Sequence, residues 1–265
     1  MEEMNSSDVR NNIAVMSPPL GAIKRAVDGP EGRYLGLRFT DSELSRVVQL
    51  IEQQWLVRIE QIAPQHVEAF AKVGVGHYHE VAHLIDHVTA WPKKERILSQ
   101  QAVNEIRQMS IMQALEREYG KFKISDEEHV GREELYWRLV RPNYANDVGP
   151  LHADHWFHVL DPDFEIAADE KTVKVWTAIS VEPGVSGFRY VLGSHTKDWP
   201  HHSEFRDGSM KPQIDFDENS VPLEVFRSRP GEAIIFHENL LHGGIKHQGQ
   251  LTRVSIEWTI IVPRK

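Results

Sequence analysis

The chain has 265 residues, 30 basic against 39 acidic side chains for a formal net charge of −9, and no cysteine. A disulfide-stapled mini-domain and a cysteine-ligated zinc or iron–sulfur module are therefore excluded. With 40% apolar and 26% charged residues the composition is that of a globular protein, and an acidic balance without a basic stripe argues against gripping nucleic acid.

No run approaches the roughly 18 uninterrupted apolar residues of a membrane span. The mildly apolar stretch 13–27 is broken by Pro18, Pro19 and basic residues. It lacks a basic start followed by a small-residue cleavage site, so no signal peptide is expected and a cytoplasmic location is the default expectation. Residues 1–130 read as a helical region packed on a core formed by 131–265, the two making one folding unit.

Thr40 followed by Glu43 has capping-box spacing, and Leu44, Val47, Val48, Ile51 and Trp55 recur at intervals of three and four. This predicts a helix from Thr40 with one buried face. Val81, Leu84, Ile85 and Val88 repeat the pattern, and Val103, Ile106 and Met109 predict a third long helix closing near Gly120. Beside the second of these, His79, His83 and His87 follow at intervals of four after His77. They read as a solvated helix face, with a zinc site as the alternative.

Beyond about residue 133 the apolar period changes to two, in short segments separated by proline and glycine. Strands are predicted at 135–140, 173–181, 188–192, 223–227, 232–236 and 253–262. Many short strands without intervening helices point to an antiparallel sandwich or barrel. The segments 161–171 and 194–222 carry few periodic apolar residues and are expected to be loops that cover a site.

Without cysteine, a transition-metal site must be built from carboxylates and the 15 histidines. His152-Ala153-Asp154 stands out, because in an extended segment residues two apart point to the same side. After the turn at Pro230-Gly231, the strand-like run from Glu232 to Phe236 leads to Leu241-His242-Gly243-Gly244, where His242 can return as a third ligand. His237, five residues earlier, is its rival. Arg253 opens the final strand, with Arg253, Ser255, Glu257 and Thr259 on one face. Val254, Ile256, Trp258 and Ile260 share the other face, which is expected to pack against the helical half.

These residues resemble the iron(II)- and 2-oxoglutarate-dependent oxygenases, and within them the phytanoyl-CoA dioxygenase-like group. The resemblance rests on His152-x-Asp154, on Pro230-Gly231-Glu232 ahead of Ile234-Ile235-Phe236, and on Leu241-His242-Gly243 with Arg253 eleven residues after the histidine. Gly187-Phe188-Arg189-Tyr190-Val191-Leu192-Gly193-Ser194-His195 is similar to that group's strand leading into a Gly-Ser-His turn. About half the chain, from roughly residue 133 to 262, is covered.

The resemblance implies a mainly β fold with α, a double-stranded β-helix (jelly-roll, cupin-like) core with an N-terminal helical annex. It implies Fe(II) held by His152, Asp154 and His242, since two histidines and one carboxylate leave three positions open. 2-Oxoglutarate and O2 would take those positions. Arg253 is the candidate for the far carboxylate of the cosubstrate, because arginine offers a planar two-pronged donor. Ser255 and Trp176 are candidate neighbours of the same cosubstrate. Arg138, His155, Lys174 and Arg189, together with Trp156 and His158, are candidate substrate contacts.

The implied activity is oxidation, by default hydroxylation, of a small or medium metabolite with release of succinate and CO2. Related halogenases replace the carboxylate ligand by a small residue, so Asp154 argues against halogenation. Two other readings stay open: a jelly-roll that binds a ligand without turnover, and a zinc-dependent hydrolase using the same ligands. The substrate and the oligomeric state are not legible.

Overall fold

The computed structural model describes residues 18–206, 209–246 and 248–264. Of the stretch 13–27, residues 13–17 lie outside the described residues, and α1 (Ala22–Val27) takes up the end. Strand β1 (Arg33–Arg38) lies outside the expected strands. Its period of two is broken by a bulge between Leu35 and Leu37, where Gly36 adopts φ +125°, so the two leucines serve different apolar clusters.

Helix α2 (Asp41–Ile62) starts as the capping box predicts. Thr40 Oγ1 accepts from the Glu43 N–H at 3.2 Å, and the Glu43 carboxylate accepts from the Thr40 N–H at 2.8 Å. Such a cap is worth about 1 kcal/mol. The buried stripe is Val47, Leu50, Ile51, Trp55 and Ile59. Helix α3 (Val67–Val73) follows.

The expected second helix is instead two short pieces, α4 (Tyr78–Val81) and α5 (His87–Ala90). They are separated by a 3-10 turn and by Ile85 in extended conformation, and Asp86 caps α5 through the N–H groups of Val88 and Thr89. The histidines therefore share no helix face. His77 pairs with Glu80, His79 with Thr252, and His87 with the Tyr78 hydroxyl.

The expected third helix is also two, α6 (Gln100–Ile106) and α7 (Ser110–Tyr119), the latter ending at Gly120. Met109 is extended at the break, and Arg107 turns aside to Glu133, Glu116 and the Phe122 carbonyl. Glu43 fixes the second start by accepting from the Ser110 N–H at 2.7 Å.

The remaining elements are β2 (Lys123–Ile124), β3 (Tyr136–Val140), α8 (Asp154–Leu160), β4 (Glu170–Ser180) and β5 (Phe188–Val191). They continue with β6 (His201–Arg206), β7 (Ser209–Ile214), β8 (Leu223–Phe226), β9 (Glu232–His237), β10 (His242–Gly244) and β11 (Arg253–Pro263). The β6–β7 hairpin occupies the segment 194–222 expected as loop. Much of β6 is exposed on both faces, so no apolar alternation marks it in the sequence.

Among the described residues, a six-stranded sheet runs β1-β9-β4-β11-β2, with β3 also on β11, and a three-stranded sheet runs β10-β5-β8. Every pairing is antiparallel. This is the double-stranded β-helix, a jelly-roll backed by helices.

The alternation on β11 works as the sequence predicts. Val254, Ile256, Trp258 and Ile260 join Ile51, Trp55 and Phe70 in the core between the large sheet and the helices. Burying each large apolar side chain contributes about 1.5–3 kcal/mol. A second cluster, including Trp176, Phe188, Phe226, Ile234 and Phe236, fills part of the space between the two sheets. No helix among the described residues is long and apolar enough to cross a membrane.

Candidate metal centre

His242 opens β10, and His152 faces it across an isolated antiparallel bridge. Leu241 beside it is held from both sides. Its N–H donates to Ser194 Oγ at 2.8 Å, and its carbonyl accepts from the Val191 N–H at 2.9 Å. The Gly-Ser-His turn thus docks the strand that carries the second histidine. Ala153 is extended and Asp154 is the first residue of α8. The His-x-Asp unit is therefore a strand-to-helix junction, a correction to the expected extended segment. Its two side chains still converge.

Each imidazole is fixed by a backbone carbonyl. His152 Nδ1 lies 2.9 Å from Pro150 O and His242 Nδ1 lies 2.9 Å from Leu240 O. A carbonyl can only accept, so both Nδ1 atoms carry a proton, and in the neutral rings the lone pairs are on Nε2. Those lone pairs face Asp154, with His152 Nε2 at 3.8 Å from Oδ1 and His242 Nε2 at 3.6 Å from Oδ2. All three donor atoms lie within 4.8 Å of one another.

Phe188 stacks on His242 at 5.1 Å, Phe236 packs against it at 4.7 Å, and Phe157 sets its edge on His152 at 5.2 Å. Burial and the neighbouring His242 push the His152 pKa down to about 4, so the ring is neutral near pH 7. Burial alone would raise Asp154, but the Lys174 ammonium above all holds it below the usual carboxylate range. Asp154 Oδ2 is buried and has no hydrogen-bond partner. Two imidazoles turned with Nε2 inward and one carboxylate fit a divalent transition metal.

Arg253 is the second unusual group, only 2% exposed. Its Nη1 donates to Gly187 O at 2.7 Å, Nε has no partner, and no carboxylate among the described residues comes within ion-pair distance. Burial, with Arg138 nearby, pushes its pKa down to about 10. Gly244 makes room for it, since a Cβ there would sit 3.0 Å from Arg253 Nη1 and 2.9 Å from Val148. Ser255 is fully buried on the same face, and its hydroxyl donates to Glu257 at 3.3 Å. Trp176 is buried against Phe188 and Phe226, with its ring edge beside Gly187, whose carbonyl holds Arg253.

The other expected contacts divide. Lys174 is brought to the triad, with Nζ 3.8 Å from Asp154 Oδ2 and bonded to Glu127 and Thr259. Arg138 projects from β3 opposite Ser255, and its charge acts on both Asp154 and His152. His158 is engaged by Glu127 and Glu238 and stacks on Phe164 of the 161–171 segment. His155 is half-exposed beside Glu238. Trp156 points to the β6–β7 hairpin and stacks on His201 at 4.1 Å.

Arg189 is not brought to the triad. It alternates with the inward Phe188 and Tyr190, and bonds Gly244 O and Glu218. His237, the rival of His242, lies against His195 and is outside the converging group. Sequence reasoning missed Glu127 and Lys93, which extend the ionic chain from Lys174. They come from irregular segments with no periodic signal. The other converging group among the described residues, His129, Asp161 and Asp163, is largely exposed.

The jelly-roll that gathers these two histidines and a carboxylate has the fold of the Fe/2-oxoglutarate-dependent oxygenases. The family model for phytanoyl-CoA dioxygenase (PhyH) matches residues 44–255, and the chain belongs to that family. No curated protein matches the chain in sequence. Among solved structures it is similar to EvdO2 from Micromonospora carbonacea var. aurantiaca complexed with 2-oxoglutarate, at 14% identity and a TM-score of 0.54, covering 93% of each chain. It is also similar to SnoK, a non-haem alpha ketoglutarate dependent carbocyclase from nogalamycin biosynthesis, at 12% identity and a TM-score of 0.54, covering 94% of this chain and 85% of that one. A third is the non-haem monooxygenase ThoJ, at 16% identity and a TM-score of 0.51, covering 91% and 77%. At such identities the likeness shows the fold.

Proposed function

We propose that the protein is an Fe(II)- and 2-oxoglutarate-dependent dioxygenase that hydroxylates a small or medium metabolite. The observation that carries this reading is the meeting of the His152 and His242 lone pairs with the Asp154 carboxylate, in a chain of this family that also buries an arginine without a carboxylate. His152, Asp154 and His242 would hold the iron, leaving positions for 2-oxoglutarate and O2. Iron bound there supplies O2 coordination and the redox capacity to oxidise a C–H bond.

The chain's own residues do the rest. Arg253 binds the far carboxylate of 2-oxoglutarate in a site dry enough for a charge-assisted pair to be strong. Ser255 lies on its face and Trp176 forms the adjoining wall. Phe188 and Phe236 keep water from the back of His242, and the Nδ1 bonds to Pro150 O and Leu240 O keep both rings in the ligating tautomer. In the balanced reaction, one oxygen atom of O2 enters the substrate as hydroxyl. The other enters succinate as the cosubstrate loses CO2.

The test is succinate formation by the purified protein. Production that needs added Fe(II), O2 and 2-oxoglutarate is the expected result. Zinc-supported turnover without oxygen would instead identify a hydrolase.

A further inference from the structure

Three guanidinium groups, those of Arg96, Arg138 and Arg253, feel the charge of the Glu257 carboxylate. That carboxylate is already committed, since it accepts from the Tyr136 and Ser255 hydroxyls while Arg138 Nη1 stays 3.9 Å away. Of the other carboxylates that act on these arginines, Asp154 belongs to the triad and the rest are taken. Asp147 is clamped by Arg141 through both oxygens, and Glu128 pairs with Lys93. Burial pushes Arg96 and Arg253 each down to about 10, and Arg138's charge adds to the cost in both. Arg138 goes the other way: burial would lower it, but Glu257, Tyr136 and Asp154 hold it above the usual arginine range, so its guanidinium stays charged.

The three arginines are not equivalent. Arg96 spends its donors on the carbonyls of Trp91 and Trp137. Arg253 is closed in and serves the cosubstrate in the reading above. Arg138 makes no hydrogen bond to a carboxylate among the described residues, keeps 31% of its side chain exposed, and its charge acts on both Asp154 and Arg253. Its β3 neighbours on the same face are Tyr136 and Val140, so the guanidinium looks into the space between the sheets. A planar fork, open to solvent and close to a metal-ligating carboxylate, suits an entering carboxylate.

We propose that Arg138 binds a carboxylate of the substrate, so that the metabolite oxidised here is an organic acid. This rests on the dioxygenase reading. The acid's two oxygens match a fork that the Glu257 carboxylate, 3.9 Å away, does not hydrogen-bond.

The test uses small molecules in matched pairs, each a carboxylic acid and its primary amide, added to the Fe(II)-loaded protein with 2-oxoglutarate and O2. Acids are expected to stimulate succinate formation at concentrations at least ~10-fold below their amides. Arg138→Met should raise the half-saturating acid concentration by ~10-fold or more, and Arg138→Lys, which keeps charge but loses the fork, should fall between. A second readout is the dissociation constant of 2-oxoglutarate for the Co(II)-loaded protein, by calorimetry, expected to change less than about twofold in Arg138→Met. Arg138→Lys and Arg138→Gln carry the test if the methionine variant does not fold.

Amides as effective as acids, acids unaffected by the substitutions, or no stimulating acid at all would overturn the proposal. If Arg138→Met weakens 2-oxoglutarate as much as Arg253→Met does, the carboxylate at Arg138 is the cosubstrate's. The proposal then fails while the reaction class stands. A wild-type protein that makes no succinate with Fe(II) and O2 fails the underlying reading itself.

Discussion

His152 and His242 hold each other through their backbones. The His152 N–H donates to His242 O at 3.0 Å, and the His242 N–H donates to His152 O at 2.9 Å. Ninety residues apart in sequence, they form one hydrogen-bonded antiparallel pair, and their ring centroids are 4.4 Å apart. The geometry of the two proposed ligands is thus set by backbone pairing, which a side-chain substitution leaves in place.

Asp154 tests that separation of site from scaffold. One of its oxygens has no hydrogen-bond partner, and Lys174 beside it keeps Glu127 and Thr259. Asp154→Ala is expected to leave the unfolding free energy of the metal-free protein within about 1 kcal/mol of wild type. Metal affinity should fall by ~100-fold or more, as loss of a ligand exceeds loss of its outer support. Thermal melts with and without added Co(II) measure both, and a metal-induced rise as large as wild type's would remove Asp154 from the ligand set.

Arg253→Met keeps the bulk of the side chain and removes its charge. Affinity for 2-oxoglutarate should drop by about 10- to 100-fold, the worth of ~1.5–3 kcal/mol in charged hydrogen bonds. Arg253→Lys should recover only part of this, lacking the fork. Stability should hold or rise, since replacing a buried, poorly compensated charge by an apolar group is commonly neutral or favourable. Calorimetric titration of 2-oxoglutarate into Co(II)-loaded protein decides it, and unchanged affinity would free Arg253 of the anchoring role.

Acid stability follows from histidines buried neutral. Burial pushes His87 down to about 4 despite Asp147 at 3.8 Å, and its Nδ1 shares a hydrogen bond with the Tyr78 hydroxyl at 2.8 Å. In the unfolded chain histidine titrates near ~6.5. Between those values the unfolded state binds more protons, so stability falls as pH is lowered from about 6.5 toward 4 and is level above that window. His152 acts in the same sense. The metal-free protein is expected to lose roughly 3 kcal/mol at most per histidine across the window. Urea unfolding at a series of pH values checks this, and His87→Gln should flatten the slope; an identical slope would place the sensitivity elsewhere.

Local sequence determined a good deal. The Thr40 capping box, the stripe through Trp55 and the two-faced β11 are short-range patterns, and each forms as its spacing predicts. His152, Asp154 and His242 were legible as candidates because the chemistry of an ion restricts the residue types that can serve it. Two helices were overestimated because apolar spacing continues through the turns at Ala82–Leu84 and Arg107–Met109, where the breaks come from the Asp86 cap and from the partners of Arg107 and Glu43.

What only the tertiary structure decided depends on distant partners. The bulge at Gly36 is defined by pairing with β9, and the β6–β7 hairpin by docking of His201 on Trp156. Arg138 and Arg189 are both strand arginines in sequence, yet one looks between the sheets and the other binds Glu218. The physical reason is that periodicity tells which residues share a face, whereas the surroundings of that face are fixed only when segments a hundred residues apart come together.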